Sequence, residues 1–161
     1  MLIDPFHTNR ITSTIIGCAI RVHRATGPGL LESAYTPCLV YELRQVGFLI
    51  SLQHPIPLVY RGIDLDASYR ADMLVEDIIL VELKSVESLA SIHAAQMLTY
   101  LKLLKKPVGL IINFNVPVLK DGIKRVVNPE LPKQVLLDSP EGSVSSTDAP
   151  ASNDGLLNAA E

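Results

Sequence analysis

Ile78-Ile79-Leu80-Val81-Glu82-Leu83-Lys84 is a run of four apolar residues that ends in a carboxylate and an ammonium. The apolar part suits a buried strand. Side chains alternate along a strand, so Glu82 and Lys84 share a face. Charges at the end of a buried strand need a partner or a task. An isolated Glu-x-Lys arises by chance about 0.6 times in a chain of this size, so its surroundings must decide what it means.

Upstream lie two further β-type runs, Pro55 to Tyr60 and Ala67 to Val75, with turns at Arg61-Gly62 and Glu76-Asp77. Together with Ile78 to Lys84 they predict an antiparallel meander. Downstream, Ser91 to Leu104 reads as a helix and Val108-Gly109-Leu110-Ile111-Ile112 as a strand buried on both faces. A helix between two such strands implies a right-handed crossover. Asp121-Gly122 then turns into a basic segment at Lys124 and Arg125.

Two helices precede the strands. Ile11, Ile15, Cys18 and Val22 recur at helical spacing from Thr8 to Ala25, which Thr26-Gly27-Pro28-Gly29 ends. Tyr35, Leu39 and Leu43 mark a second helix from Leu30 to about Val46, with Gly47 as its stop. Pro37 within it predicts a kink or a late start, because proline removes a helical hydrogen bond. The fold class is therefore α/β, an α+β arrangement around a mixed sheet.

The chain has 161 residues, 48% apolar and 19% charged, which suits one domain with a sizeable core. No apolar run reaches the roughly 18 residues of a membrane span, and the first residues lack a secretion signal; the expectation is a cytoplasmic protein with no membrane partner. Cys18 and Cys38 suggest neither a disulfide nor a thiolate zinc site. All 14 Lys and Arg lie at or before Lys133, while residues 138–161 hold five of the 17 acids, so residues 1–137 carry +2. That balance permits a polyanionic partner. The Ser-, Pro- and Asp-rich composition from 138 onward cannot offset its ordering entropy. The expected division is a folded domain, 1–128, and an acidic disordered tail, 129–161.

Asp72 precedes Glu82 on the neighbouring strand. Two carboxylates beside a lysine are what metal-assisted phosphodiester cleavage needs: oxygen ligands for a hard cation and a positive charge that steers water. Adding Glu32 gives three carboxylates against one ammonium, and the surplus of two negative charges matches one divalent ion. The register sets a condition. With Glu76-Asp77 as a two-residue hairpin loop, Asp72 would face Val81 and point away from Glu82. A shared ion therefore requires a three-residue loop or bulge between Val75 and Ile79, or a splay beside Asp72.

Glu32 and Tyr35 are three apart, and Gln96 and Tyr100 four apart, so each pair shares a helix face. Both tyrosines also fit as amphipathic core residues with a bonded hydroxyl. His7 and His54 read as surface residues, and His23 and His93 as packing or capping residues beside a cleft.

Gly29-Leu30-Leu31-Glu32-Ser33-Ala34-Tyr35 resembles the signature of the GxxExxY proteins, a bacterial group within the PD-(D/E)XK nuclease superfamily. The resemblance extends over residues 8–127 through Val22-His23, Gly27-Pro28-Gly29, Tyr69-Arg70-Ala71-Asp72, Val81-Glu82-Leu83-Lys84, Ile92-His93, Gln96, Tyr100-Leu101, Ile112-Asn113-Phe114 and Leu119 to Arg125. It departs from the superfamily at Ala71, where the name has proline, and at Pro37. It implies a restriction-endonuclease-like core of helix, three antiparallel strands, helix and strand, behind an extra N-terminal helix. It also implies Asp72 and Glu82 as metal-binding carboxylates, Lys84 as the residue that positions water, and Glu32 as a further acidic ligand. Gln96 and Tyr100, with Tyr35, would support the site or contact substrate.

The resulting expectation is a nuclease dependent on Mg²⁺, with Mn²⁺ as substitute, hydrolysing DNA or RNA alone, as a homodimer or with a partner protein. The alternative is a non-catalytic module that binds nucleic acid or protein through Lys120, Lys124 and Arg125.

Overall fold

The computed structural model describes residues 5–65 and 69–131. Helix α1 spans Pro5–Thr26 and α2 Glu32–Gln45. Five strands follow: β1 Ile50–Pro55, β2 Leu58–Tyr60, β3 Ile63–Leu65, β4 Arg70–Val75 and β5 Ile79–Lys84. Helix α3, Ser91–Leu104, leads to β6, Val108–Asn113. A 3₁₀ turn, Leu119–Gly122, leads to β7, Ile123–Val127. The main sheet runs β1-β4-β5-β6-β7, with β5 and β6 parallel and every other pair antiparallel.

The apolar periodicities explain the layers. Ile11, Ile15, Cys18 and Val22 of α1 and Tyr35, Leu39 and Leu43 of α2 pack with Met73, Val75, Ile79, Val81, Leu110 and Ile112 on one sheet face. On the other face Met97, Tyr100 and Leu101 of α3 cover Leu74, Leu80 and Ile111. The central strands are buried on both faces, so β5 and β6 read as unbroken apolar runs. This is the mixed α/β arrangement that the sequence predicts, with a restriction-endonuclease-like order of elements.

Two expectations need correction. The first strand of the meander is Ile50–Pro55, not Pro55 to Tyr60; the latter segment supplies β2, which pairs only with β3 in a separate two-stranded hairpin. An edge strand with an exposed polar face, Ser51, Gln53 and their neighbours, carries little apolar signal. Helix α2 also starts at Glu32, five residues before Pro37, so the proline does not delay it. Pro37 and Ser33 line an open cleft, where solvent can satisfy the carbonyl that proline leaves without a donor. Of the second expected strand, Ala67 and Ser68 lie outside the described residues, as does the expected tail beyond Leu131. Asn128 closes the described fold: it is buried, and its amide donates to the Leu101 and Lys106 carbonyls.

Gly109 on β6 lies under Met97, and a Cβ there would overlap the Met97 thioether. Met97 is fully buried, so it has little room to withdraw. Gly109→Ala should destabilise the protein by about 1–3 kcal/mol through overpacking. Urea unfolding measures this; an unchanged midpoint would show that α3 can shift freely over β6.

Candidate active site

The turn between β4 and β5 sets the site. Glu76 and Asp77 both adopt positive φ, 54° and 56°, and Ile78 N–H donates to the Val75 carbonyl at 3.0 Å. Yet Val75 is laddered with Ile79, Leu74 with Leu80 and Met73 with Val81. Val75 therefore faces two residues, Ile78 and Ile79, and both bury their side chains in the same cluster. This is the irregularity the sequence required. The extra residue moves Asp72 from opposite Val81 to opposite Glu82. Glu76 anchors the turn by accepting from Leu49 N–H and donating its own N–H to the Leu49 carbonyl.

Backbone pairing between β4 and β5 stops at Met73 and Val81. Beyond it the side chains replace the ladder: Asp72 N–H donates to Glu82 Oε1 at 3.2 Å, and Leu83 N–H donates to Asp72 Oδ2 at 2.8 Å. Each carboxylate gives one oxygen to a main-chain N–H and keeps the other clear of it. Across the sheet from Asp72, Gln53 takes a left-handed φ of 46° and interrupts the β1 ladder. Ala71 packs in the α3-side cluster while Met73 packs in the opposite one, so the strand twists about Asp72.

Lys84 Nζ lies 3.8 Å from Glu82 Oε2, both side chains being largely buried. Burial pushes the Glu82 carboxyl up to about 8, with repulsion from Asp72 adding to the rise; the hydrogen bond from Asp72 N–H and the Lys84 charge oppose it. Glu32 opens α2 and lines the same cleft as Asp72. Burial also raises its carboxyl, with Asp72 adding to the rise, whereas Lys84 and His93 lower it. The four groups expected from sequence therefore act on one another.

Bonds outside the notch fix these positions. Tyr35 stacks on Phe114 at 4.3 Å, donates its hydroxyl to the Gly27 carbonyl and accepts from Leu30 N–H. Ser85 donates to the Leu30 carbonyl at 2.6 Å. These contacts tie the loop before Glu32 to the end of β5, which makes Tyr35 a buried support. Asn113, also buried, donates to the Val86 carbonyl and accepts from Val86 N–H, while Phe114 N–H donates to the Lys84 carbonyl. Sequence reasoning gave Asn113 no role of its own. Its signal was a polar residue at the end of an apolar run, since buried amides need bonded partners.

Gln96 is exposed and donates to the Tyr100 hydroxyl at 2.7 Å; the Tyr100 ring is buried against Tyr69. His93 caps its own helix by accepting from Ala90 N–H, and His23 bonds the Val116 carbonyl. Lys120, Lys124 and Arg125 lie on the 3₁₀ turn and β7, at the sheet edge opposite β1, where Arg125 donates to Asn9. They take no part in the notch.

The donor set fits a hard cation. Two adjacent carboxylates at about 4 Å repel by roughly 4 kcal/mol at an effective dielectric near 20, which a bound divalent ion reverses. Among the described residues no three His, Cys, Asp or Glu side chains gather closely enough to hold an ion by themselves. Mg²⁺ is commonly held by one or two carboxylates with water and substrate phosphate completing its shell, and Asp72 and Glu82 suit that mode.

The raised Glu82 carboxyl has a consequence for stability. An unfolded Glu loses its proton near pH 4.5, whereas folded Glu82 keeps it to about pH 8. Between those values the folded state binds the extra proton, so stability falls as pH rises and levels off above about 8. Melting temperatures in EDTA at pH 5, 6.5 and 8 should show this decline, and Glu82→Gln should flatten it. Parallel profiles for the two proteins would refute the assigned burial of charge.

The profile of the PD-(D/E)XK nuclease superfamily matches residues 9–126. No curated protein and no solved structure matches the chain. The matched span includes most of α1, all of α2, the crossover helix and every residue of the notch, and the chain belongs to the PD-(D/E)XK nuclease superfamily.

Proposed function

We propose that this protein is a metal-dependent nuclease of the GxxExxY group that hydrolyses phosphodiester bonds in DNA or RNA. The observation that carries this reading is the one-residue bulge at Ile78, which turns Asp72 and Glu82 toward each other beside Lys84. Satisfying two main-chain N–H groups does not call for two facing carboxylates with a lysine beside them, because a regular ladder would do the same with carbonyls.

Asp72 and Glu82 would hold Mg²⁺ or Mn²⁺, Mg²⁺ being the ion whose preference for oxygen and retained water they match. Such an ion, when bound, neutralises phosphoryl oxygens and acidifies a water. Lys84 keeps a positive charge beside Glu82, where it orients the attacking water and opposes charge building on the phosphate. Glu32, on the other wall of the notch, is assigned as the outer carboxylate, which binds water or completes the ion's surroundings. Gln96 is exposed and held by Tyr100, a geometry suited to contact with the nucleic-acid backbone.

Purified protein should cleave single- or double-stranded DNA or RNA with Mg²⁺ or Mn²⁺ and fail in EDTA. Asp72→Asn, Glu82→Gln and Lys84→Ala should each lower the rate by about 10²-fold or more, in the range lost with other charge-stabilising groups. Circular dichroism and melting would confirm that the variants fold. Undiminished cleavage by Glu82→Gln and Lys84→Ala would remove the assignment.

A further inference from the structure

An open cleft of about 720 Å³ runs from the carboxylates along the seam between α2 and β1. Its α2 wall carries Glu32, Thr36, Val40 and Arg44, each four apart, with Tyr41 beside Val40, and Leu52 and Gln53 of β1 form its other side. At 1.5 Å per helical residue, Arg44 lies about 18 Å along the axis from Glu32.

The side chains on the seam suit a single strand. Tyr41 is 62% exposed although its neighbours Val40 and Leu43 are buried. Arg44 is exposed, and among the described residues it makes no ion pair. An exposed aromatic ring followed by a free guanidinium is the pairing that holds unstacked bases and the adjoining phosphate. Gln53 supplies an independent sign. Its left-handed backbone is unusual outside glycine, and it stands beside Asp72 at the mouth of the cleft. The break in the β1 ladder leaves its side chain exposed at the cleft, where it can meet a ligand.

Resting on the nuclease reading, we infer that the α2/β1 cleft is a subsite for an unpaired strand, in which a base stacks on Tyr41 and Arg44 holds a phosphate several nucleotides from the cut. The substrate class is single-stranded nucleic acid, or the unpaired end or loop of a longer molecule. The bases are accepted by their faces, so sequence preference is weak.

The test uses the full chain and fluorescein-labelled 12-mer oligodeoxythymidine and oligouridine, with a blunt 12-base-pair duplex as the third probe. Anisotropy in EDTA measures binding, and cleavage with Mg²⁺ or Mn²⁺ measures turnover. Wild type should prefer a single strand to the duplex. Tyr41→Ala and Arg44→Ala should each weaken that binding by about tenfold, while Tyr41→Phe, which keeps the stacking face, should retain it. The ratio between the two oligonucleotides tells deoxyribose from ribose as the natural sugar. Both positions are exposed, and unchanged melting temperatures would show that the variants fold. Cleavage by wild type that prefers the duplex, or single-strand binding unmoved by both alanine variants, would overturn the subsite and leave the nuclease reading intact. Wild type that neither binds nor cleaves any of the three probes would sink both.

Discussion

The whole site depends on where one residue is inserted. Ile78 takes the position between a left-handed turn and a regular strand, and the β4 to β5 register shifts by one. Strand side chains have a period of two, so that shift decides whether Asp72 and Glu82 share a face or oppose each other. The insertion is stabilised from both sides. Ile78 buries its side chain with Ile79 in the α1/α2 cluster, and Glu76 is tied to Leu49. The apolar core thus enforces a register that the two carboxylates alone would resist.

Hydrogen bonds offset part of that resistance. Where the ladder ends, two main-chain N–H groups lose their usual carbonyl partners, and the carboxylates of Asp72 and Glu82 accept from them. Buried amides left without acceptors would cost about 1–3 kcal/mol each. The two side chains therefore have a structural duty and a chemical one. Each meets the first with one oxygen and leaves the second oxygen for the notch. With both carboxylates ionised, as when a divalent cation displaces the Glu82 proton, Lys84 compensates only part of their negative charge.

Much of this could be read from the chain because burial writes itself into periodicity. Tyr35, Leu39 and Leu43 marked α2, and the unbroken run from Ile78 to Val81 marked a strand covered on both faces. The need for an irregular hairpin also followed from the sequence, since parity forbids Asp72 and Glu82 from meeting otherwise. The β1 edge did not. With one face in solvent it carries Ser51, Gln53 and His54, whereas the apolar Leu58, Val59 and Tyr60 of the β2/β3 hairpin read as a strand of the meander although Val59 and Tyr60 are exposed. Apolar pattern reports burial only where the protein is buried. Ser85 was silent for another reason: its importance lies in one bond to Leu30, and no local pattern announces a partner that is distant in sequence.

Glu32 shows how a helix can join a sheet-based site without being part of the sheet. Its carboxyl comes from the first turn of α2, a place where negative charge is favoured by the helix dipole. A first turn is also the part of a helix most prone to fray. Here fraying is opposed from outside the helix: Tyr35 clasps the Gly27 carbonyl and Leu30 N–H, and Ser85 holds the Leu30 carbonyl from the end of β5. The clasp begins one residue after Lys84, so the positions of Glu32 and the ammonium are coupled through a short span of bonded backbone. Pro37 loosens α2 one turn later by removing a helical bond, on the side that opens into the cleft. The same helix is thus pinned where it meets the carboxylates and relieved of a backbone bond where it borders open space, which places rigidity at the notch and accessible backbone along the wall beside it.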